Sequence, residues 1–304
     1  MTNNEKRRLG EIIPDPGKTR GLHEINRIFK TSKPIESVVA NFLMKKTTVE
    51  VLEVGFGWGR ALMELAWQFH GKNVVFHGVE AKPRPPIEKR EDLCKIAIQF
   101  DSIPQSELPN FKLPQVYFYD ASTLHFDDET MDFIYSAVTI RFIRDKIKFI
   151  EEVCRVLKPG GCAALHLGET NWNYPYSVMS DDRFLTPYTS RLVLKHRSEL
   201  IPLPAFFQLF DGDVFTFQFS TESRCVIFIK KLKSGRLHLN LQINDHHTMT
   251  GRELPLRDIR GEVRSGFRTV YDVPADLYST LFDQGLLSHD KIMTDIRIPE
   301  AWHA

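Results

Sequence analysis

The stretch Glu53-Val54-Gly55-Phe56-Gly57-Trp58-Gly59 sets a carboxylate two positions ahead of three alternating glycines. Val49, Val51, Leu52 and Val54 lead into it as a β-favouring apolar run, and Leu62, Met63, Leu65, Ala66 and Phe69 follow at helical spacing. A strand that passes through glycines into a helix start brings a ligand against bare backbone at a helix N-terminus. A dinucleotide loop of the form G-x-G-x-x-G needs a third glycine where this chain has Arg60. The spacing here is G-x-G-x-G, and the plain alternative is an ordinary glycine turn before a helix. Further polar residues stand where strands should end: Glu80, Asp120 followed by Ala121, and Ser136. In an open α/β sheet a ligand lies outside the carboxyl ends of the strands, so these positions face the same space.

The elements that must hold those residues read as alternating strands and helices. Strands are predicted at 49–54, 73–80, 115–122, 131–138 and 162–168. Asp145 is placed to cap a helix through Leu157, with Ile147, Ile150, Val153 and Leu157 on its apolar face. Lys158-Pro159-Gly160-Gly161 is expected to end that helix with a left-handed glycine cap. A polar helical stretch is expected near 187–200, then two strands, 214–220 and 225–231, joined by a turn. The alternation implies a Rossmann-like, mostly parallel sheet of about seven strands, an α/β fold with helices on both faces. Residues 1–34, broken by Pro14, Pro16, Gly17 and Pro34, read as an N-terminal arm or lid. Residues 35–233 read as the main domain, and 234–304 as a C-terminal α+β appendage that acts as a lid or pairs two copies. Within the appendage, 237–244 alternates like a strand, and Pro274 and Gly285 bracket a short helix.

Composition narrows the class. A formal net charge of +1 gives no global basic footprint for nucleic acid. The first residues carry no apolar h-region, and no apolar run approaches a bilayer span, so a cytoplasmic, non-membrane protein is expected. Cys94, Cys154, Cys162 and Cys225 form no C-x-x-C pair and read as reduced thiols. His246-His247 is no metal site, because adjacent strand residues point to opposite faces, and no metal is expected.

The acid-preceded glycine loop resembles the first motif of class I S-adenosylmethionine (SAM)-dependent methyltransferases. The resemblance continues through 119–167. There an acid-Ala pair (Asp120-Ala121) is followed by Leu124-His125-Phe126 in place of the usual Leu-Pro-Phe. Asp132-Phe133 and the run from Arg155 to Gly161 also match. It covers about residues 35–232 and implies SAM as cofactor. Gly55, Phe56 and Gly57 would lie against it, and Glu80, with Ala81 beside it, would accept the ribose hydroxyls. Asp120 and Ala121 would meet the adenine, and Ser136 the methionine amino end. Glu53 would act indirectly, by orienting the loop or the ligand's amino group.

Methyl transfer from a sulfonium needs alignment and, for some acceptors, a base. The Asn/Asp-Pro-Pro-Tyr block used on nucleobase amines is absent after the fourth strand, and Ile140-Arg141 stands where many small-molecule members have His-His. Arg141 can clamp a substrate carboxylate or be plain surface charge. After the fifth strand, Glu169 is a candidate base, and Asn171, Trp172, Tyr174 and Tyr176 candidate pocket walls or simple packing. His166 reads as a core histidine. The expected function is methylation of an oxygen or nitrogen of a small molecule or peptide. The alternative is a non-catalytic SAM-fold regulatory or scaffold subunit working through its appendage, with a homodimer as one use of that segment.

Overall fold

The sequence pattern resolves into two β-sheets in the computed structural model, which describes residues 19–29, 34–85, 87–168, 191–220, 226–239, 249–257, 263–288 and 293–294. The described elements are α1 (Leu22–Phe29), α2 (Ile35–Leu43), β1 (Val49–Val54), α3 (Arg60–Gln68), β2 (Val74–Glu80), α4 (Leu93–Gln99), β3 (Gln115–Phe118) and β4 (Met131–Ser136). They continue with α5 (Lys146–Val156), β5 (Leu157–His166), β6 (Leu192–His196), β7 (Glu199–Ile201), α6 (Leu203–Gln208), β8 (Phe215–Phe219) and β9 (Val226–Lys231). The last are β10 (Thr250–Arg257), β11 (Val263–Asp272), α7 (Ala275–Asp283) and β12 (Met293–Thr294). The first sheet has seven strands in the order β3-β2-β1-β4-β5-β9-β8. β1 pairs in parallel with β2 and β4, and β2 with β3, while β9 runs antiparallel to β5 and β8. The expected Rossmann-like sheet is therefore present.

By internal packing the chain divides into one unit of residues 1–121 with 130–137 and another of 122–129 with 138–304. In the first unit β1 is the centre. Val49, Val51, Leu52 and Val54 are all at most 1% exposed, as a strand with both faces covered requires. α3 turns Ala61, Leu62, Met63, Leu65 and Ala66 inward. Part of the sequence expected to be an arm is helical: α1 packs on α3, and the Leu22 amide donates to Glu64 Oε2 at 2.6 Å.

In the second unit α5 starts at Asp145, whose Oδ1 accepts from the Lys148 amide at 3.0 Å, as the sequence predicts. The Tyr271 hydroxyl of β11 donates to the same carboxylate and accepts from the Lys146 amide at 2.9 Å. Lys146 is completely buried. Its Nζ donates to Ile143 O and Thr269 Oγ1 and lies 4.2 Å from the Phe267 ring centre, which ties α5 to β11.

At the other end of α5, Arg155 donates to Leu124 O, Phe126 O, Asp128 Oδ1 and both oxygens of Glu152, at 2.7–2.9 Å. All five N–H groups of its fork are used. Burial alone would raise Glu152, but the Arg155 hydrogen bonds, the Leu124 amide and the charges of Arg155 and Lys148 together hold that carboxyl below its ordinary value. Arg155 thus fixes the 124–128 segment against the helix.

Three local expectations are corrected. No glycine caps α5: the helix stops at Val156, Leu157 is already extended, and 157–166 is one strand. The physical reason is Pro159, which disfavours helical geometry at the residue before it. The segment near 187–200 is strand where it is described: β6 and β7 turn at Arg197-Ser198 and join a second sheet ordered β10-β11-β6-β7-β12. Pairing with β11 buries Leu192, Val193 and Leu194 in succession, so tertiary pairing overrides a polar local composition. Of 237–244, only 237–239 is described. Leu237 and Leu239 are buried and His238 exposed, an alternation without strand pairing, and the Leu239 amide is held by Glu151 Oε1 at 2.7 Å. The second sheet thus draws strands from 192–201 as well as from beyond 249. The helix bracketed by Pro274 and Gly285 is present as α7.

Candidate functional site

The order β3-β2-β1-β4 places the switch point at the carboxyl ends of β1 and β4, where ligands of such sheets bind. The glycine loop leaves β1 there. Gly55, Gly57 and Gly59 have φ of 80°, 61° and 81°, values that L side chains resist. At Gly59 space forbids a side chain as well, since a Cβ would lie 2.6 Å from Leu93 Cδ2. Gly59 is the N-cap of α3, and no side chain caps that helix end. Phe56 points inward at 5% exposure and tilts against Phe118, ring centres 6.0 Å apart.

Glu80 ends β2 and is 6% exposed. Its Oε2 accepts from the Gly57 amide at 2.9 Å, and its Oε1 from the Ala81 amide at 3.1 Å and Arg84 Nη2 at 3.3 Å. A carboxylate has about four acceptor positions, so roughly one is left for a ligand unless Arg84 moves aside. Arg84 also lies 5.7 Å from the Trp58 ring centre, and Trp58 Nε1 donates to Pro85 O at 3.4 Å. The loop after β2 is thereby tied to the glycine loop.

Asp120 lies just beyond its strand, which ends earlier than expected. β3 stops at Phe118, the Tyr119 amide still bonds Glu80 O at 2.9 Å, and Asp120 is the next residue, exposed, followed by buried Ala121. Ser136 ends β4 at 2% exposure, and its Oγ finds no hydrogen-bond partner among the described residues. Glu53 is 3% exposed and accepts from the Tyr135 hydroxyl at 3.0 Å. Glu53, Gly55, Phe56, Gly57, Glu80, Ala81, Asp120, Ala121 and Ser136 all belong to the first packing unit.

The residues expected to meet substrate fare differently. Arg141 belongs to the second unit, in a short turn at Ile140–Phe142, with its guanidinium 4.8 Å from the Phe142 ring centre and its carbonyl against Gly266. Glu169, Asn171, Trp172, Tyr174 and Tyr176 lie outside the described residues, as do Cys225 and His246-His247. His166 is buried at 1% exposure, in keeping with a core position. Among the described residues no group of three His, Cys, Asp or Glu is placed to hold a metal, and no helix is long and apolar enough to cross a membrane. Tyr135 and Arg84 are site neighbours that the sequence reading passed over. The signal for Tyr135 was available: a tyrosine inside a fully buried strand must find a partner for its hydroxyl.

Residues 52–165 match the family model of the methyltransferase domain. That segment is similar to the methyltransferase domain over 114 of the 304 residues. Solved structures similar to the chain include a candidate sarcosine dimethylglycine methyltransferase from Galdieria sulphuraria, 22% identical, covering 43% of this chain and 44% of its own, TM-score 0.30. A SAM-dependent methyltransferase from Aquifex aeolicus is 18% identical, covering 54% and 72%, TM-score 0.31. The YcgJ protein from Bacillus subtilis is 15% identical, covering 84% and 85%, TM-score 0.38. The chain spans less than half the length of the first of these. A search of curated protein sequences finds no match. The matched segment holds the glycine loop, Glu80, Asp120, Ser136 and Arg141, and it ends at Leu165, before Glu169, Asn171, Trp172 and Tyr174.

Proposed function

We propose that this chain is a SAM-dependent methyltransferase acting on an oxygen or nitrogen of a small molecule or peptide. The observation that carries the reading is Glu80, a nearly buried carboxylate at the end of β2 bonded to the amide of Gly57 in a left-handed glycine loop. A carboxylate held beside bare backbone supports the reading of Glu80 as the acceptor for ribose hydroxyls. The Ser136 Oγ at the end of β4, without a partner among the described residues, fits the same ligand, because a buried hydroxyl left unsatisfied is costly unless something bound there satisfies it. SAM, when bound, supplies an activated methyl group on a sulfonium.

The chain's own residues then have limited tasks. Glu80 accepts from the ribose, Asp120 and the Ala121 amide meet the adenine, and Ser136 meets the amino-acid end. Glu169 is the base for a hydroxyl or a protonated amine, and Arg141 with Asn171, Trp172 and Tyr174 forms the acceptor's wall. We place this activity in the cytoplasm, where free thiols such as Cys94, Cys154 and Cys162 stay reduced.

Transfer of labelled methyl from SAM to a cell extract, fractionated by size, tests the reading. Label in a low-molecular-weight or peptide fraction is the expected result. Tight SAM binding with no label in any fraction would favour a regulatory or scaffold subunit.

A further inference from the structure

Glu53 and Glu80 stand near the carboxyl ends of neighbouring strands, in register over Glu53–Gly78 and Val54–Val79, yet their surroundings are unlike. Glu80 has two backbone amides and a guanidinium around its oxygens. Glu53 has one hydrogen-bond partner among the described residues, the neutral Tyr135 hydroxyl, and no described cation forms an ion pair with it. Tyr135 is itself completely buried. Of the titratable groups around Glu53, Tyr135 on β4 and Glu80 at the end of β2 are the two that act on it. A buried carboxylate without a cation is among the costliest groups a protein can hold, and protonation removes the cost. Burial, opposed by the Tyr135 hydrogen bond and reinforced by the charge of Glu80, pushes the Glu53 carboxyl up to about 8. Tyr135 is driven well above its ordinary value, chiefly by burial, and remains a donor.

We propose that Glu53 reads the charge of the methyl donor: its carboxyl group is neutral beneath the free glycine loop and ionises when a cationic cofactor binds there. The inference rests on the reading of that cofactor as SAM. The missing element around Glu53 is a cation, and SAM carries a fixed one at sulfur. In a site shielded from water a positive charge near Glu53 is worth far more than it would be in solvent. On binding, one proton passes from Glu53 to solvent, and no bond in the cofactor changes. After methyl transfer the product's sulfur is an uncharged thioether and only the α-ammonium, common to donor and product, remains as a cation, so Glu53 takes back part of its proton and the product is held less firmly than the donor.

The test is calorimetric titration of the full chain at pH 7 with SAM and with S-adenosylhomocysteine, each in buffers of different ionisation enthalpy. The wild type should release about half to one proton per SAM bound, and fewer for S-adenosylhomocysteine. Glu53→Gln should abolish that difference and cut the preference for SAM over the product by about tenfold, the equivalent of one pKa unit. Tyr135→Phe keeps the acid but removes its donor, so proton release should shift to higher pH. It carries the test if Glu53→Gln does not fold. SAM binding with equal proton release from wild type and Glu53→Gln, or equal release by both ligands in the wild type, would overturn the inference alone. Absence of SAM binding to the wild type would overturn the cofactor reading beneath it.

Discussion

Arg155 and Glu53 are ionisable side chains largely withdrawn from water, one in each packing unit, and their surroundings differ. Arg155 spends all five N–H groups on two carboxylates and two backbone carbonyls. Among the described residues Glu53 meets a single neutral hydroxyl. A charge whose every bond is answered holds the framework, and here it anchors 124–128 to α5. A buried ionisable group left short of partners is a candidate for a place where something else binds. The difference matters because both residues lie in segments that resemble the methyltransferase family, and resemblance alone does not separate framework from site.

The largest expected effect breaks the framework side. Arg155→Ala should cost about 3–5 kcal/mol of unfolding free energy, since it strands Glu152 and two carbonyls. Urea unfolding measures it, and a loss below about 1 kcal/mol would mean the cluster is not structural.

The pH responses of the two regions should also oppose each other. Glu53 stays protonated to about pH 8 when folded but would ionise near its ordinary 4.5 when unfolded. The folded state therefore binds more protons in that window. Relative to Glu53→Gln, the wild type should lose stability as pH rises from roughly 5 to 8, at up to about 1.4 kcal/mol per pH unit. Glu152 is shifted the other way, so its contribution is present at neutral pH and fades as acid protonates it. Unfolding curves across pH resolve both signs, and a flat difference between wild type and Glu53→Gln would remove Glu53 from the account.

On the site side, Glu80→Ala should weaken SAM by about 1.5–3 kcal/mol, the scale of hydrogen bonds to a charged group. Arg155 variants that still fold should leave SAM affinity unchanged. The smallest effect belongs to Tyr271→Phe. Loss of the hydroxyl that bridges Asp145 and the Lys146 amide should cost about 1–2 kcal/mol in unfolding, again without change in SAM affinity.

The sequence made the first sheet legible because each of its signals is local. Val49 to Val54, the three glycines, Glu80 and Asp145 announce strand, turn, strand end and cap within a few residues. The second sheet was not legible in the same way. β6 is short and polar at its end, and it becomes a strand through pairing with β11, some 75 residues away (Thr269 with Leu192). Non-local pairing leaves no periodic trace in a single short segment. The end of α5 was misread because Gly160 and Gly161 look like a cap, whereas Pro159 had already forced the backbone to extend. At the site, the acids were visible as residue types, but their partners were not. Nothing in the spacing of Glu53 and Tyr135 indicates that β4 lies against β1 in the register that joins them.

The central claim is that the loop at Gly55, Gly57 and Gly59, with Glu80, holds SAM. Calorimetric titration of the wild-type chain with SAM and with NAD tests it most directly. The account predicts saturable binding of SAM, weakened in Glu80→Ala, and none of NAD. Binding of NAD without binding of SAM would contradict it.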